Sequence, residues 1–257
     1  MLCSGMNSLL EQSLTAKPPF PPSQIFNEGW LLRLILNWCA QHPAHGLPLE
    51  PATQAIWYSE ALLPTPFQAR YHSDPHAEAR THADGIVGHF EIRDGKTGCV
   101  LAPDARQLIV VEAKMFSPLS AGVKNAPYYN QAARSVACMA ELCRRAERNP
   151  SDIDRLAFVV VAPHAQIDAG LFDAHVNKAS IDARVRKRVA EYDPQKEEWY
   201  NTWLRPLLER IEISVRSWEE FIDGIAAFDP DSAAELRQFY AACLKHNGTP
   251  STQGTTH

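Results

Sequence analysis

Uninterrupted apolar runs in the middle of the chain predict buried strands. Residues 108–111 are four branched apolar residues, Leu-Ile-Val-Val, and a short run of this kind is typical of a strand covered on both faces. Glu112, Ala113 and Lys114 follow it directly. Because side chains alternate along a strand, Glu112 and Lys114 leave the backbone on one side and Ala113 on the other. The pattern therefore predicts an acid and an amine together at the end of a buried strand.

A second set of strand signals lies upstream. Residues 82–92 combine alternating and buried character, with Asp84 near the start of the run. Residues 94–98, Asp-Gly-Lys-Thr-Gly, are a good hairpin turn, and residues 99–101 predict the returning strand. We expect this hairpin to separate the strand of Asp84 from the strand of Glu112.

Helical periodicity is clearest over residues 128–148, where small and apolar residues form one stripe. Gln131 lies near the start of this predicted helix. Residues 156–162 are another fully apolar run, closed by Pro163. A strand, a helix and a second buried strand predict a crossover unit, which is right-handed almost without exception.

Two helices are predicted before these strands. One runs from the capping residue Ser23 to Trp38 and carries Glu28 in its first turn. A shorter helical pattern covers residues 52–62 and carries Glu60. Beyond residue 163, the pattern predicts helices at 169–192, at 194–209, from Ser217 onward and at 231–245, with an edge strand at 211–215.

This order of elements predicts an α/β fold, with a central mixed β-sheet flanked by helices and a C-terminal helical extension. The 257 residues are enough for one such domain with an ample core. The predicted organisation is a proline-rich extended arm at 1–22, a single domain at 23–245 with its core at 24–163 and its helical extension at 164–245, and a disordered tail at 246–257.

Composition and charge exclude several classes of protein. An apolar fraction of 45% and a charged fraction of 21% are ordinary for a soluble globular protein. The net charge of −5 argues against a protein that coats nucleic acid non-specifically, so any such contact needs a local patch or a metal. The six cysteines lack zinc-ligand spacing, which favours free thiols. Without a signal-peptide pattern or a run approaching the ~18 apolar residues of a membrane span, we expect a cytoplasmic protein with no membrane partner.

Two carboxylates at the ends of neighbouring strands form a hard, oxygen-only site. Asp84 and Glu112 would suit Mg²⁺ or Mn²⁺, which leave coordination positions for water and a substrate phosphate. Lys114 beside them could orient or help to deprotonate the attacking water and offset charge on a phosphate in the transition state. These parts fit phosphodiester hydrolysis.

Residues 24–163 resemble the PD-(D/E)XK nuclease superfamily, also called restriction-endonuclease-like. The resemblance rests on Asp84, on Glu112-Ala113-Lys114 after an apolar strand, and on Gln131 in the following helix. The family fold is a central mixed sheet flanked by helices in the order helix, three strands, helix, strand, and the predicted order is similar to it. The proline that names the motif is replaced here by Ala83, a departure that many members share.

The resemblance implies a role for each of these residues. The metal ligands would be Asp84, Glu112 and the main-chain carbonyl of Ala113. Lys114 would act on the attacking water, and Gln131 would support the site from the next helix. The implied activity is that of a Mg²⁺-dependent (or Mn²⁺-dependent) endonuclease.

Some of these residues also have simpler explanations. Glu112 and Lys114 could form a surface ion pair at a solvated strand end. Either Glu28 or Glu60 could fill the place of a glutamate that many family members carry on the first core helix. Glu28 also suits a helix start, however, and Glu60 a solvated helix face.

Other charged and aromatic residues are weaker candidates. The basic run 184–188 suits a phosphate-binding patch and a solvated helix face equally well. Tyr128 and Tyr129 could stack on bases, although packing explains tyrosines on a helix more simply. Lys124 could meet a phosphate, or could be an ordinary loop lysine. Three histidines in and beside one polar loop do not match a zinc pattern: His72, His76 and His82.

The sequence therefore predicts a metal-dependent nuclease whose partner is nucleic acid, with DNA favoured over RNA. Two alternatives remain open at this point: a non-catalytic nucleic-acid-binding or scaffold protein with the same fold, and an RNA-cleaving enzyme. A homodimer or a partner protein is compatible with the pattern.

Overall fold

The computed structural model describes residues 12, 15, 17, 19–78, 81–93, 98–122 and 125–247. These residues form both strands and helices. Their order is α1 (Glu28–Gln41), β1 (Ile56–Leu63), β2 (Thr81–Gly88), β3 (Phe90–Arg93), β4 (Gly98–Leu101), β5 (Gln107–Ala113), α2 (Gln131–Arg145), β6 (Arg155–Ala162), α3 (His164–Asp168), α4 (Lys178–Tyr192), α5 (Lys196–Trp199), α6 (Arg205–Arg210), β7 (Glu212–Ser217), α7 (Trp218–Ala226) and α8 (Pro230–Asn247). A π-helical segment, Tyr200–Leu204, joins α5 to α6.

A five-stranded mixed sheet in the order β1-β2-β5-β6-β7 forms the centre of the molecule. The β1–β2 and β2–β5 pairs are antiparallel, whereas β5, β6 and β7 are parallel neighbours. Helix α2 connects β5 to β6, as expected for a crossover between parallel strands. Strands β3 and β4 form a separate two-stranded sheet. The predicted α/β class, with a central mixed sheet flanked by helices and C-terminal helices, is confirmed.

Helices cover both faces of the sheet. Helix α1 packs with α7 and α8 on one face, where Ile35, Val111 and Trp218 belong to one buried cluster. Helix α2 covers the other face, where Val110 and Val136 belong to a second cluster, and α4 packs against α2. Because β5 lies between these two layers, every one of its residues is buried. This double coverage explains the unbroken apolar run that predicted the strand.

The predicted helix at 52–62 is wrong, because strand β1 occupies residues 56–62 and no helix forms at 52–55. Ile56, Trp57 and Tyr58 are β-branched or aromatic residues that fit a strand. They pair with β2, which begins only at Thr81. The local sequence pattern does not contain information about a pairing partner so far along the chain. Tertiary contacts with β2 therefore make these residues a strand and not a helix.

Several predicted boundaries shift by a few residues. The first long helix is capped by Asn27, whose side chain accepts from Trp30 N, and Ser23 lies instead in a short 3₁₀ turn. The predicted strand at 82–92 divides into β2 and β3 after Gly88, which has φ +152°. A Cβ there would lie 2.2 Å from Gln107 O, so only glycine allows this approach.

The C-terminal part of the chain follows the predicted pattern with interruptions. Strand β7 lies at the edge of the sheet, as predicted. Ser217 caps α7 in a capping box with Glu220. The helix predicted at 169–192 begins only at Lys178 in α4. Residues 94–97 of the predicted turn and most of the predicted arm and tail lie outside the described residues. Within the described part of the chain, no helix combines the length and apolar character that crossing a bilayer demands.

Candidate active site

The candidate site lies where β2 and β5 diverge. Their main-chain pairing runs from Gly88 and Leu108 to Gly85 and Val111. At Asp84, the residue before Gly85, the main-chain pairing with β5 has ended. The Asp84 side chain bonds β5 instead, and its Oδ2 accepts from Ala113 N at 2.7 Å. The side chain thus occupies the gap between the two strands and satisfies a main-chain donor that the sheet no longer pairs.

Glu112 is held from helix α2. Its side chain is 0% exposed, and Ser135 Oγ donates to Oε1 at 2.7 Å. Gln131 Nε2 donates to Oε2, while its own Oε1 accepts from Ser120 N at 3.2 Å. Asn130 caps the helix by accepting from Ala133 N, which places Gln131 in its first turn. Both carboxylate oxygens of Glu112 therefore have a fixed direction.

Lys114 lies between the two acids. Its Nζ is 3.7 Å from Asp84 Oδ2 and 3.8 Å from Glu112 Oε2, and the side chain is only 9% exposed. The backbone is fixed on both sides, because Lys114 N donates to Val161 O at 2.8 Å and Lys114 O accepts from Trp218 Nε1 at 2.9 Å. This ion pair is recessed, so the interpretation as a solvated surface pair does not describe it.

Burial raises the pKa of Glu112 well above its usual range, and the negative charge of Asp84 raises it further. The charge of Lys114 and the hydrogen bond from Ser135 act in the opposite direction without cancelling the shift. Two acids brought together in a desolvated place bind a proton or a cation more readily than either would alone. The arrangement therefore favours a positively charged occupant.

The two glutamates that were candidates for the same site lie in different places. In the β1–β2 register, Ser59 pairs with Gly85 and Ala61 with Ala83, so Glu60 lies opposite Asp84. Its backbone has φ +56°, and its carboxylate pairs with Arg33 Nη2 at 3.5 Å.

Glu28 lies half-buried in the first turn of α1. Burial, and next the charge of Glu28, raise the pKa of Cys243 on α8 to about 12. Glu28 thus acts on the C-terminal helix, whereas Glu60 lies on the strand next to Asp84.

Three residues that the sequence patterns did not single out contact the site. Ser135 bonds Glu112, Ser120 bonds Gln131, and Trp218 bonds the Lys114 carbonyl. Ser135 follows Gln131 by one helical turn, so an i, i+4 comparison could have found it. The contacts of Ser120 and Trp218 depend on how a loop and a distant helix pack, and no local pattern reports them.

The basic run 184–188 on α4 makes contacts within the protein. Arg184 donates to Tyr128 O at 2.6 Å, and Lys187 Nζ lies 4.0 Å from the centre of the Tyr128 ring. Arg186 lies 5.3 Å from the centre of the Tyr200 ring. Arg188 is 0% exposed and donates to the main chain at residue 76. These contacts join α4 to Tyr128, to Tyr200 and to the main chain at residue 76.

The remaining candidates form no site of their own. Tyr129 is fully buried, and the Tyr128 hydroxyl donates to Glu191. Lys124 lies outside the described residues. Among the described residues, no group of three or more His, Cys, Asp or Glu side chains is placed to hold a metal ion. An ion at Asp84 and Glu112 would thus complete its shell with main-chain oxygen, water or substrate.

No family model, curated protein or solved structure matches this chain. The geometry around Asp84, Glu112 and Lys114 is therefore the basis for a proposed function.

Proposed function

We propose that this protein is a metal-dependent nuclease of the PD-(D/E)XK type that hydrolyses phosphodiester bonds in DNA. The observation that carries the proposal is the placement of Lys114 Nζ 3.7 Å from Asp84 and 3.8 Å from Glu112, at the level where β2 and β5 stop pairing. Two acids that can hold a metal ion and one amine that can offset phosphate charge fit metal-assisted hydrolysis of a phosphodiester.

The donor set fits Mg²⁺ or Mn²⁺. Asp84, Glu112 and the main-chain carbonyl of Ala113 would supply hard oxygen ligands. Burial and the charge of Asp84 raise the pKa of Glu112, and a divalent cation would relieve the repulsion behind the second of these causes. When bound, the ion would supply positive charge at the phosphate that reacts.

The protein's own side chains have separate tasks in this proposal. Lys114 offsets negative charge that develops on the phosphate and orients the attacking water. Ser135 and Gln131 hold the two oxygens of Glu112 in place. The Ala113 N–H anchors Asp84 beside them. Positions fixed in this way reduce the reorganisation that the reaction needs.

We also propose that the protein acts in the cytoplasm. Five described cysteines are free and buried: Cys39, Cys99, Cys138, Cys143 and Cys243. Unpaired thiols are typical of a reducing compartment.

The test is incubation of the purified protein with plasmid DNA, linear DNA and RNA in the presence of Mg²⁺ or Mn²⁺. Glu112→Gln and Lys114→Met should each lower the cleavage rate at least about a hundredfold, since each removes charge from the reacting centre. Matched controls are Glu91→Gln, at an exposed glutamate on β3, and Lys178→Met at the start of α4. Circular dichroism would verify that every variant is folded.

Unchanged cleavage in both site variants would contradict the assignment. If the wild-type protein cleaved none of the three substrates, a binding or scaffold role would replace the enzyme proposal. Cleavage confined to RNA would keep the chemistry and correct the substrate.

A further inference from the structure

Two exposed aromatic residues lie near the carboxylate pair, one by strand register and the other in sequence. Tyr58 pairs across the sheet with Ile86, two residues from Asp84. Such diagonal neighbours on antiparallel strands lie roughly 7–8 Å apart. The Tyr58 residue is 44% exposed although it lies inside a strand, and Phe116, two residues beyond Lys114, is 40% exposed. An exposed aromatic ring beside a polar site can stack on an unpaired base.

The carboxylates themselves are recessed. The side chains of Glu112, Lys114 and Asp84 are 0%, 9% and 25% exposed. The β1–β2 loop and the loop after β5 meet at this end of the sheet, where Asn125 Nδ2 donates to Pro75 O at 2.7 Å. A duplex is stiff over about 150 base pairs and brings its phosphates to a recessed site with difficulty. A single strand bends locally and can insert one phosphate.

The charge distribution favours the same substrate. Binding of duplex DNA depends strongly on cations that neutralise phosphates along the backbone. In the best basic run of this chain, residues 184–188, Arg184 and Arg188 donate hydrogen bonds within the protein, and the exposed Arg186 and Lys187 lie over tyrosine rings. The net charge is −5. Stacking of unpaired bases on aromatic rings provides affinity that does not depend on a basic surface.

From these three observations we infer that the site acts on single-stranded DNA, with Tyr58 and Phe116 as stacking platforms for bases on either side of the scissile phosphate. This inference rests on the proposed nuclease function. It adds the substrate class and two binding residues that take no part in the chemistry.

The experiment compares a labelled single-stranded oligonucleotide with the duplex of the same sequence. Binding is measured in the Glu112→Gln background, so that cleavage does not interfere, and cleavage is measured in the wild-type background. Tyr58→Ala and Phe116→Ala should each weaken single-strand binding about tenfold, with a smaller effect on the duplex. Phe228→Ala is the matched control, because Phe228 is 58% exposed and lies in the α7–α8 connection. The wild-type protein should cleave the single strand faster than the duplex.

Single-strand binding that is unchanged in both aromatic variants, or a duplex that is bound and cleaved at least as well as the single strand, would overturn the inference and leave the nuclease proposal intact. Failure of the nuclease proposal alone would give a different result. If single-strand binding depends on Tyr58 and Phe116 but no substrate is cleaved, the binding surface is supported and the nuclease proposal fails.

Discussion

The main-chain N–H of Ala113 donates to Asp84 Oδ2 at 2.7 Å, at the level where β2 and β5 cease to pair. A side chain thereby replaces a strand as the hydrogen-bond partner of β5. The same contact fixes an acid beside Glu112 and Lys114. Asp84 consequently has a structural task and a proposed chemical task, and substitutions can separate them.

Asp84→Asn and Asp84→Ala should differ in stability but not in activity. Asparagine keeps an oxygen that can accept from Ala113 N, so the free energy of unfolding should change by less than about 1 kcal/mol. Alanine leaves a partly buried donor unpaired and should cost about 1–3 kcal/mol. Both variants lack the charge and should lose at least about a hundredfold in metal-dependent cleavage. Urea denaturation and a cleavage assay would measure the two effects. Equal destabilisation by both changes would argue against the structural task of Asp84.

Ser135→Ala should shift the pH dependence of cleavage. The hydrogen bond from Ser135 lowers the pKa of Glu112, against the larger opposing effects of burial and of Asp84. Its removal should therefore raise that pKa further. Because the proposed reaction needs ionised Glu112, the acidic limb of the pH–rate profile should move to higher pH. Activity should recover as the pH rises.

The control for this prediction is Ser214→Ala, at a serine on β7. It should leave the acidic limb unchanged. A uniform loss of activity across all pH values in Ser135→Ala would mean that the serine only supports the fold.

The local pattern could predict the elements whose two faces are covered. The runs around β5 and β6 are apolar on both sides, and α2 has one clear apolar stripe, so each signal is complete within a short window. Strand β1 lacks such a signal. It lies at the sheet edge with an irregular burial pattern, and β2 as its partner is decided by tertiary packing.

In the site, too, local patterns predict some features, whereas tertiary packing decides others. Strand alternation places Glu112 and Lys114 on one side, and the structure brings both close to Asp84 and Gln131. Their chemical roles stay predictions. The hydrogen bond between Asp84 and Ala113 was not predictable, because it depends on where two strands diverge.

Binding of Mg²⁺ should stabilise the folded protein in a pH-dependent way. The pKa of Glu112 is raised, so protons compete with the metal until the pH exceeds it, and the affinity for metal should increase as the pH rises. A ligand that binds only the folded state raises the Tm. The increase in Tm with added Mg²⁺ should therefore be larger at about pH 8 than at about pH 6. Differential scanning fluorimetry would measure it.

Glu112→Gln provides the control for metal binding, because it keeps the shape of the side chain and removes its charge. Its Tm should respond little to Mg²⁺ at either pH. An equal response in the wild type and in this variant would show that the metal binds elsewhere.

The backbone of Glu60 has φ +56°, in the left-handed region that a residue with a Cβ adopts at a cost of roughly 1–2 kcal/mol. Glu60 also lies opposite Asp84 in the β1–β2 register. Such strain is often found at functional sites. Glu60→Gly removes the strain and the carboxylate together. It should keep or raise the free energy of unfolding, by up to about 1 kcal/mol, while cleavage falls.

Gln54 provides the matched control for Glu60, since it has φ +66° in the turn before β1. Gln54→Gly should have a similar effect on stability and none on cleavage. Glu28→Gln, on the other candidate glutamate, should lower cleavage less than Glu60→Gln, because the structure places Glu28 beside α8. Chemical denaturation and cleavage rates of Glu60→Gly, Glu60→Gln, Gln54→Gly and Glu28→Gln would show whether Glu60 takes part in cleavage. If Glu60→Gly were fully active, the strained backbone of Glu60 would have no part in cleavage, and the site would consist of Asp84, Glu112 and Lys114 without it.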